Sequence, residues 1–401
     1  MAKPVRVGIV GAGFAGCSAA LNLAQRGVSV TLLEAAPKPG PVGQGIGLQP
    51  IGLSALHRMQ QPGLLEDVLA HGARVNGIRT WSLRGGEPSV VLDVEYARFD
   101  PRMYGLGLGR GVLFSALYER ACADAAVEVH VGAAVGDLRE RESGVELLRP
   151  GGDSLGLYDL VVLADGARSA LRAAHGVPSV VRRYDYGALY ALLPDPGGVA
   201  DHWLSQVDSE YRHSKYSRSK LWPEQQAKLW PSQVHAGPGA SRTLGFLPTG
   251  RAWGAPLDAK MATLYYSMRL DDPRVAACWV PAADGGAACG GNALPDSFDV
   301  AAFREECEEL MPGAAAVLGR LRHASQLQLG SYSDVLMPWF DGASGRVVAI
   351  GDHAHATSPQ LGQGANLVRV RIRVRVRVRV RVRVRVRVRV RVRVRVRVRV
   401  S

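Results

Sequence analysis

Cysteine is scarce in this chain and shows no pattern. Cys17, Cys122, Cys278, Cys289 and Cys307 are odd in number, far apart and never at CxxC spacing. This argues against a disulfide framework and against thiolate metal sites, and leaves five reduced packing thiols as the reading. Long apolar runs are missing too. Nothing approaches the roughly 18 uninterrupted apolar residues of a membrane-spanning helix. The start, Met-Ala-Lys-Pro-Val-Arg, enters an apolar stretch without the charged region, hydrophobic region and cleavage site of a signal peptide. A soluble, cytoplasmic protein with no transmembrane segment is expected. Acidic residues are outnumbered, 36 Asp+Glu against 49 Lys+Arg, for a net charge of +13. The excess has one source: between Arg369 and Val400 Arg alternates with an aliphatic residue, placing 16 Arg in 32 positions. Outside that tail 33 Lys+Arg oppose 36 Asp+Glu, a net of −3, so the body has no basic surplus to draw a specific nucleic acid. Polyanion affinity would belong to the tail alone.

With 401 residues, 47% of them apolar, the chain is long enough for a large α/β body and a second lobe. Residues 5–10 are β-branched and apolar, residues 11–16 form a glycine turn, residues 17–26 have helical composition and residues 28–33 return to a strand. Residues 37–50 read as a loop. Residues 52–69 read as helical with a break at Pro62, and residues 110–126 as an amphipathic helix. Residues 127–131, 159–164 and 346–350 read as further strands of the first domain, the second of them uniformly apolar like a buried parallel strand. From 180 to 340 short strands such as 187–193, 243–247 and 263–270 alternate with Pro/Gly turns, the texture of an inserted, mainly antiparallel lobe. Within it, residues 209–241 are polar and basic and carry Lys-Leu-Trp-Pro twice; no chemistry attaches to them.

Gly11, Gly13 and Gly16 form G-x-G-x-x-G directly after a strand, with Glu34 at the end of the next strand, 18 residues beyond the last glycine. Each part has a physical task. The first glycine turns the chain, the second lets backbone amides approach a pyrophosphate, the third allows close packing of helix on strand, and the carboxylate accepts ribose hydroxyls. A dinucleotide is therefore expected, NAD and FAD being equally served by one such unit.

Further landmarks narrow the choice. Asp165-Gly166-Ala167-Arg168-Ser169-Ala170-Leu171-Arg172 follows a strand, and Gly351-Asp352-His353-Ala354-His355 is followed by Pro359, Gly362, Gln363, Gly364, Ala365 and Asn366. Together with Gly45-Ile46-Gly47-Leu48-Gln49-Pro50 and the helix opened by Arg110, these resemble, in order, the D-G, G-D and accompanying motifs of the class A FAD-dependent monooxygenases, the flavoprotein aromatic hydroxylases. The resemblance spans residues 5–366. It implies an α/β fold: a Rossmann-like FAD-binding domain with an inserted, mainly antiparallel β-sheet substrate domain. The division expected is 1–175 and 341–368 for the FAD-binding domain, 176–340 for the substrate lobe and 369–401 for a low-complexity tail without stable structure.

The same resemblance implies that Gly11, Gly13, Phe14, Ala15, Gly16 and Glu34 hold the ADP half of FAD, with Arg110 at its phosphates or ribose and Gly45 nearby. Asp165 and Arg172 would serve flavin packing and passage of NADH or NADPH. Asp352 would bind the ribityl chain, and Pro359, Gly362, Gly364, Ala365 and Asn366 would lie beside the isoalloxazine, where a helix start stabilises negative charge. The implied reaction is reduction of FAD by NAD(P)H, reaction with O2 and transfer of one oxygen atom, through a flavin hydroperoxide, to a small aromatic substrate. No catalytic residue is singled out. Asp352, His353 and His355 lack a further ligand set, so no metal is expected. Tyr186, Tyr190, Tyr265 and Tyr266 are candidates to line the substrate pocket, core packing explaining each equally well. Other readings of the same fold are a reductase or a halogenase, the latter without its Trp-x-Trp-x-Ile-Pro signature here. A third is an impaired FAD-binding protein, because Arg-Val repeats stand where helices normally continue.

Overall fold

A computed structural model describes residues 5–40, 44–82, 89–174, 176–198, 200, 233–236, 242–281, 287–289, 294–342, 344–357, 374–377 and 389–392. At its centre lies a five-stranded parallel sheet in the spatial order Val347–Ala349, Leu160–Leu163, Arg6–Val10, Ser29–Leu33, Val127–His130. These strands are apolar on both faces because both faces are covered. Val7, Ile9, Val30, Leu32, Leu160 and Val162 pack under the helices Phe14–Ala24 and Arg110–Ala123. Val10, Leu33, Val161 and Leu163 pack instead on a small antiparallel sheet formed by Asp137–Arg141, Gly144–Leu148 and Ser154–Tyr158.

The helix expected over 52–69 is two helices, Pro50–Met59 and Leu64–His71, parted at the predicted break. The loop expected over 37–50 contains a strand, Gly45–Leu48, which pairs with Gly105–Gly109. Composition hid that strand: both partners are glycine-rich, and glycine weakens a strand unless tertiary contacts require close approach.

The second lobe is a seven-stranded sheet in the order Gln328–Leu336, Val180–Pro194, Lys260–Arg269, Arg242–Arg251, Gln233–Ala236, Gly77–Ser82, Ser89–Glu95. The last two strands come from the segment assigned by sequence to the first domain, and they join through a parallel pairing with Gln233–Ala236. That linking strand lies at the end of the polar stretch 209–241, the rest of which is outside the described residues.

One face of this sheet is a core. Leu189, Ala191, Leu193, Leu244, Phe246, Leu264, Tyr266, Met268 and Leu329 pack with Phe303 and Cys307 of the helix Val300–Leu310. Asp299 caps that helix through Ala302 N–H at 2.9 Å. Among the cysteines, Cys17 and Cys307 are buried, and burial pushes the Cys17 thiol up to about 12, which suits packing rather than reactivity. No helix among the described residues is long and apolar enough to cross a membrane.

In the tail, Val374–Arg377 pairs antiparallel with Arg389–Val392, Val opposite Val and Arg opposite Arg. The rest of the tail is outside the described residues.

Candidate functional site

Four motifs singled out by sequence begin where four adjacent parallel strands end. Gly11 follows Arg6–Val10, Glu34 follows Ser29–Leu33, Asp165 follows Leu160–Leu163 after one residue, and Gly351 follows Val347–Ala349 after one residue. The chain leaves the central strand toward one neighbour and later returns on its other side, so these strand ends border a topological switch point, where α/β sheets open a ligand crevice. Glu34 and Asp352 are three strand spacings apart. At about 4.8 Å each the crevice is about 14 Å across, suited to an elongated ligand.

The glycine turn is built by contact. Gly11 has φ +95°, and a Cβ there would stand 2.7 Å from the Ala164 carbonyl oxygen; a Cβ on Gly16 would collide with the Gly11 carbonyl. Gly13 differs from both. It lies at the N-cap of the helix Phe14–Ala24 with ordinary extended backbone, and a Cβ on it would meet nothing within 4 Å. The open space lies where a helix N-terminus presents amides to an anion. Glu34 braces the turn by accepting Ala12 N–H at 2.8 Å and Ala36 N–H at 2.9 Å. A carboxylate offers about four lone-pair sites, so two such bonds leave it able to accept ribose hydroxyls.

Arg110 opens its helix beside this turn. Its guanidinium lies 5.1 Å from the Phe14 ring centre, and its amide donates to the Gln44 carbonyl at 2.8 Å. The side-chain Oε1 of Gln44 is buried without a hydrogen-bond partner among the described residues. Gly45, next in sequence, meets the second lobe directly: its N–H donates to Thr263 Oγ1 at 2.9 Å, and a Cβ on it would overlap that side chain.

The G-D segment comes back against the glycine turn. Gly351 has φ +58°, and a Cβ there would lie 2.6 Å from the Ala15 Cβ, so neither the backbone nor the space admits a side chain. Asp352 follows as an exposed residue at the start of the short helix Asp352–His355.

The D-G segment is bonded to the G-D segment by side chains that sequence could not pair. Asp165 Oδ1 is 2.6 Å from His353 Nδ1, and its Oδ2 accepts Ser169 O–H at 2.6 Å. Buried Arg172 donates to the His353 carbonyl at 3.1 Å and to the carbonyls of Ala167 and Gly166 at 2.9 and 3.2 Å. Burial draws the Arg172 pKa down while Asp165 opposes it. Asp165 and Arg172 therefore tie the two motifs together. Pro359, Gly362, Gly364, Ala365 and Asn366 lie outside the described residues.

The family described as "FAD binding domain" is matched over residues 4–235, more than half the chain. The chain belongs to this FAD-binding family of flavoprotein monooxygenases. The flavoprotein is 29% identical over 371 residues to 3-amino-4-hydroxybenzoate 2-monooxygenase of Streptomyces cremeus, covering 91% of this chain and 76% of that one. It is 29% identical over 377 residues to kynurenine 3-monooxygenase of Salinispora arenicola, covering 90% and 69%. In fold it resembles solved 2-methyl-3-hydroxypyridine-5-carboxylic acid oxygenase, with a TM-score of 0.64 at 22% identity, over 91% of this chain and 80% of that one. The cofactor is FAD, and the open Gly13 position, the amide-braced Glu34 and the orphaned Gln44 oxygen fit it. The relatives carry monooxygenase names, in line with oxygen insertion rather than with a reductase or halogenase.

Of the four tyrosines suggested for the pocket wall, one is placed elsewhere. Tyr266 is fully buried in the lobe's core, edge-on to Phe303 at 5.0 Å, with its hydroxyl donating to Glu306 at 2.6 Å. Burial opposes ionisation of Glu306, yet hydrogen bonds from Tyr266 and Arg274 hold its carboxyl below the usual range. Tyr186 lies mid-strand and pairs with Arg269, the last residue of the neighbouring strand, whose guanidinium is 5.8 Å from its ring centre. Tyr190 and Tyr265 are cross-strand partners on the opposite face, ring centres 5.4 Å apart. That face also carries buried Thr243, Thr263 and Ser267.

Proposed function

We propose that this monooxygenase hydroxylates a small aromatic molecule held between the Gly45–Leu48 strand and the polar face of the seven-stranded sheet, with NADH or NADPH as reductant. The observation that carries the reading is the division of that sheet into two unlike faces. One is the lobe's apolar core. The other buries Thr243, Thr263 and Ser267 beside Tyr190 and Tyr265, and meets the FAD-binding domain at the Gly45–Thr263 hydrogen bond. Buried polar groups on a sheet face turned toward a neighbouring domain suit a ligand wall better than a core.

In this reading the amides after Gly13 bind the pyrophosphate, with Phe14, Ala15 and Gly16 shaping the helix start. Glu34 accepts ribose hydroxyls and Arg110 adds positive charge at the phosphates. Asp352 binds the ribityl chain, while Asp165 positions the G-D segment through His353. Pro359, Gly362, Gly364, Ala365 and Asn366 complete the ring end. When bound, FAD supplies the redox chemistry with NAD(P)H and O2 that puts one oxygen atom into the substrate. The two sheets and the domain contact shield that site from water.

The test is purification of the full chain after reconstitution with FAD, followed by NAD(P)H oxidation under labelled O2 with a panel of substituted aromatics. Flavin absorbance, ligand-stimulated oxidation and one labelled oxygen atom in the product are expected. A protein that takes up no FAD, or one whose oxidation rate ignores every aromatic and yields only peroxide, would overturn the reading.

A separate property concerns the tail. The Arg-Val repeat between Arg369 and Val400 would bind polyanions adventitiously. Retention on heparin should fall steeply with salt and vanish on truncation after Leu367; retention unchanged by that truncation would place the basic surface elsewhere.

A further inference from the structure

The two lobes meet along a seam of small residues. The Gly45 amide donates to Thr263 Oγ1 at 2.9 Å, and a Cβ on Gly107 would strike the Pro248 carbonyl. Gly250 has φ +61°, and a Cβ there would lie 2.7 Å from the Gly72 carbonyl carbon. Backbones this close leave little side-chain area at those points to hold one lobe on the other.

A large side chain crosses the seam. The hairpin between the strands Arg242–Arg251 and Lys260–Arg269 carries Trp253 to the C-terminal end of the helix Leu64–His71. There its ring stacks on His71, with ring centres 4.7 Å apart and planes 26° from parallel. Trp253 also packs against the hydrophobic cluster of the FAD-binding domain, the one residue of the segment 176–340 to do so among the described residues. Both sides of the stack are held. His71 Nδ1 lies 2.7 Å from the Asp67 carbonyl, which can only accept, so that nitrogen donates and the imidazole keeps its orientation. Arg251 ties the hairpin to the helix: its Nε donates to the Ala70 carbonyl at 3.3 Å, and its guanidinium also reaches the Ala255 carbonyl inside the hairpin. At the base of the hairpin Thr249 Oγ1 donates to the Met261 carbonyl at 3.1 Å, and Thr263 receives the Gly45 amide.

We infer that Trp253, stacked on His71, is a positioning residue: it latches the seven-stranded sheet onto the FAD-binding domain and so holds Thr249 and Thr263 against the Gly45–Leu48 strand. It acts through that contact. A stacked aromatic pair contributes beyond the area it buries, so loss of the ring removes a large part of what fastens the hairpin. With the latch open, the Gly45 amide exchanges its bond to Thr263 for bonds to water, and water gains access beside that strand. The latch is a property of the chain whatever it oxidises; its consequence for turnover rests on the hydroxylase reading.

The test compares the full-length FAD-loaded wild type with Trp253→Ala, Trp253→Phe and His71→Gln by amide hydrogen exchange. Trp253→Ala should speed exchange in residues 44–48 roughly 10-fold, equivalent to about 1.4 kcal/mol, while the strand Arg6–Val10 and the FAD content stay as in the wild type. His71→Gln removes the stack from the helix side without altering the hairpin and should speed the same residues. Trp253→Phe keeps an aromatic face and should restore slow exchange. Faster exchange confined to the hairpin and the helix Leu64–His71 would mean local packing only and overturns the inference. So does equal exchange in Trp253→Phe and Trp253→Ala. Should Trp253→Ala exchange faster in every strand, it has lost the fold as a whole, and His71→Gln decides by the same comparison. Exchange needs no turnover. Where an aromatic stimulates NAD(P)H oxidation, Trp253→Ala should divert a larger share of it to peroxide, roughly 3-fold, and an unchanged share overturns the role in turnover. Absence of any stimulation in the wild type counts against the hydroxylase reading alone.

Discussion

Gly13→Val should yield a folded protein that no longer holds FAD. The backbone at Gly13 is extended, with φ −72° and ψ −172°, which valine adopts freely, and nothing lies within 4 Å of the added Cβ. The apoprotein should lose only the few tenths to about 1 kcal/mol by which glycine is the better N-cap residue. The ligand fares worse. A branched side chain at the helix start keeps the pyrophosphate away from the amides that face it. Two charge-assisted hydrogen bonds at about 1.5–3 kcal/mol each amount to a loss of about 3–6 kcal/mol, roughly 10²–10⁴-fold in affinity. The measurement is FAD content after reconstitution and gel filtration, alongside thermal unfolding of the apoprotein. Wild-type FAD content in Gly13→Val would place the pyrophosphate elsewhere. Gly16→Val is the contrasting case: its side chain collides with the Gly11 carbonyl, so it should lose the fold together with the cofactor.

Arg172→Met should destabilise the protein by about 3–5 kcal/mol, the scale for removing one partner of a buried charged network. The side chain reaches three carbonyls in two segments, His353, 181 residues away in sequence, on one side and Gly166 and Ala167 on the other. Methionine fills much of the volume but leaves those carbonyls and the neighbouring Asp165 without their cation. At about 2–4 °C per kcal/mol for a large domain, the apoprotein midpoint should fall by about 6 °C or more. Arg172→Lys keeps the charge without the fork and should lie between the two. A midpoint for Arg172→Met within about 1 °C of the wild type would show that the two motifs are held together by other contacts.

Several features could be read directly from the residues because their causes are local. A strand, a three-glycine turn and a helix are contiguous, and Glu34 falls at the end of the next strand whatever the rest of the chain does. Uniformly apolar strands announced a sheet buried on both faces, and the Arg-Val repeat announced a tail whose charge is foreign to the body. The class of cofactor followed from the order of motifs.

What lay beyond reach depended on which face of an element met which neighbour. Tyr265 and Tyr266 are adjacent and chemically alike, and strand alternation sends them to opposite faces; only the position of the helix Val300–Leu310 makes one face core and leaves the other as a polar wall. The Gly45–Leu48 strand exists because Gly105–Gly109 and Thr263 lie against it, contacts made from 60 and 218 residues away in sequence. The same holds for Asp165, Arg172 and His353: each looked like a separate motif residue, and their mutual bonds appear only once two parallel strands end side by side. Local order along the chain determined the glycine turn, its carboxylate and the sheet that carries them. The packing of distant segments alone decided which residues form the polar sheet face and which hold the D-G and G-D motifs together, because hydrogen bonds and burial depend on distances in space that sequence separation does not encode.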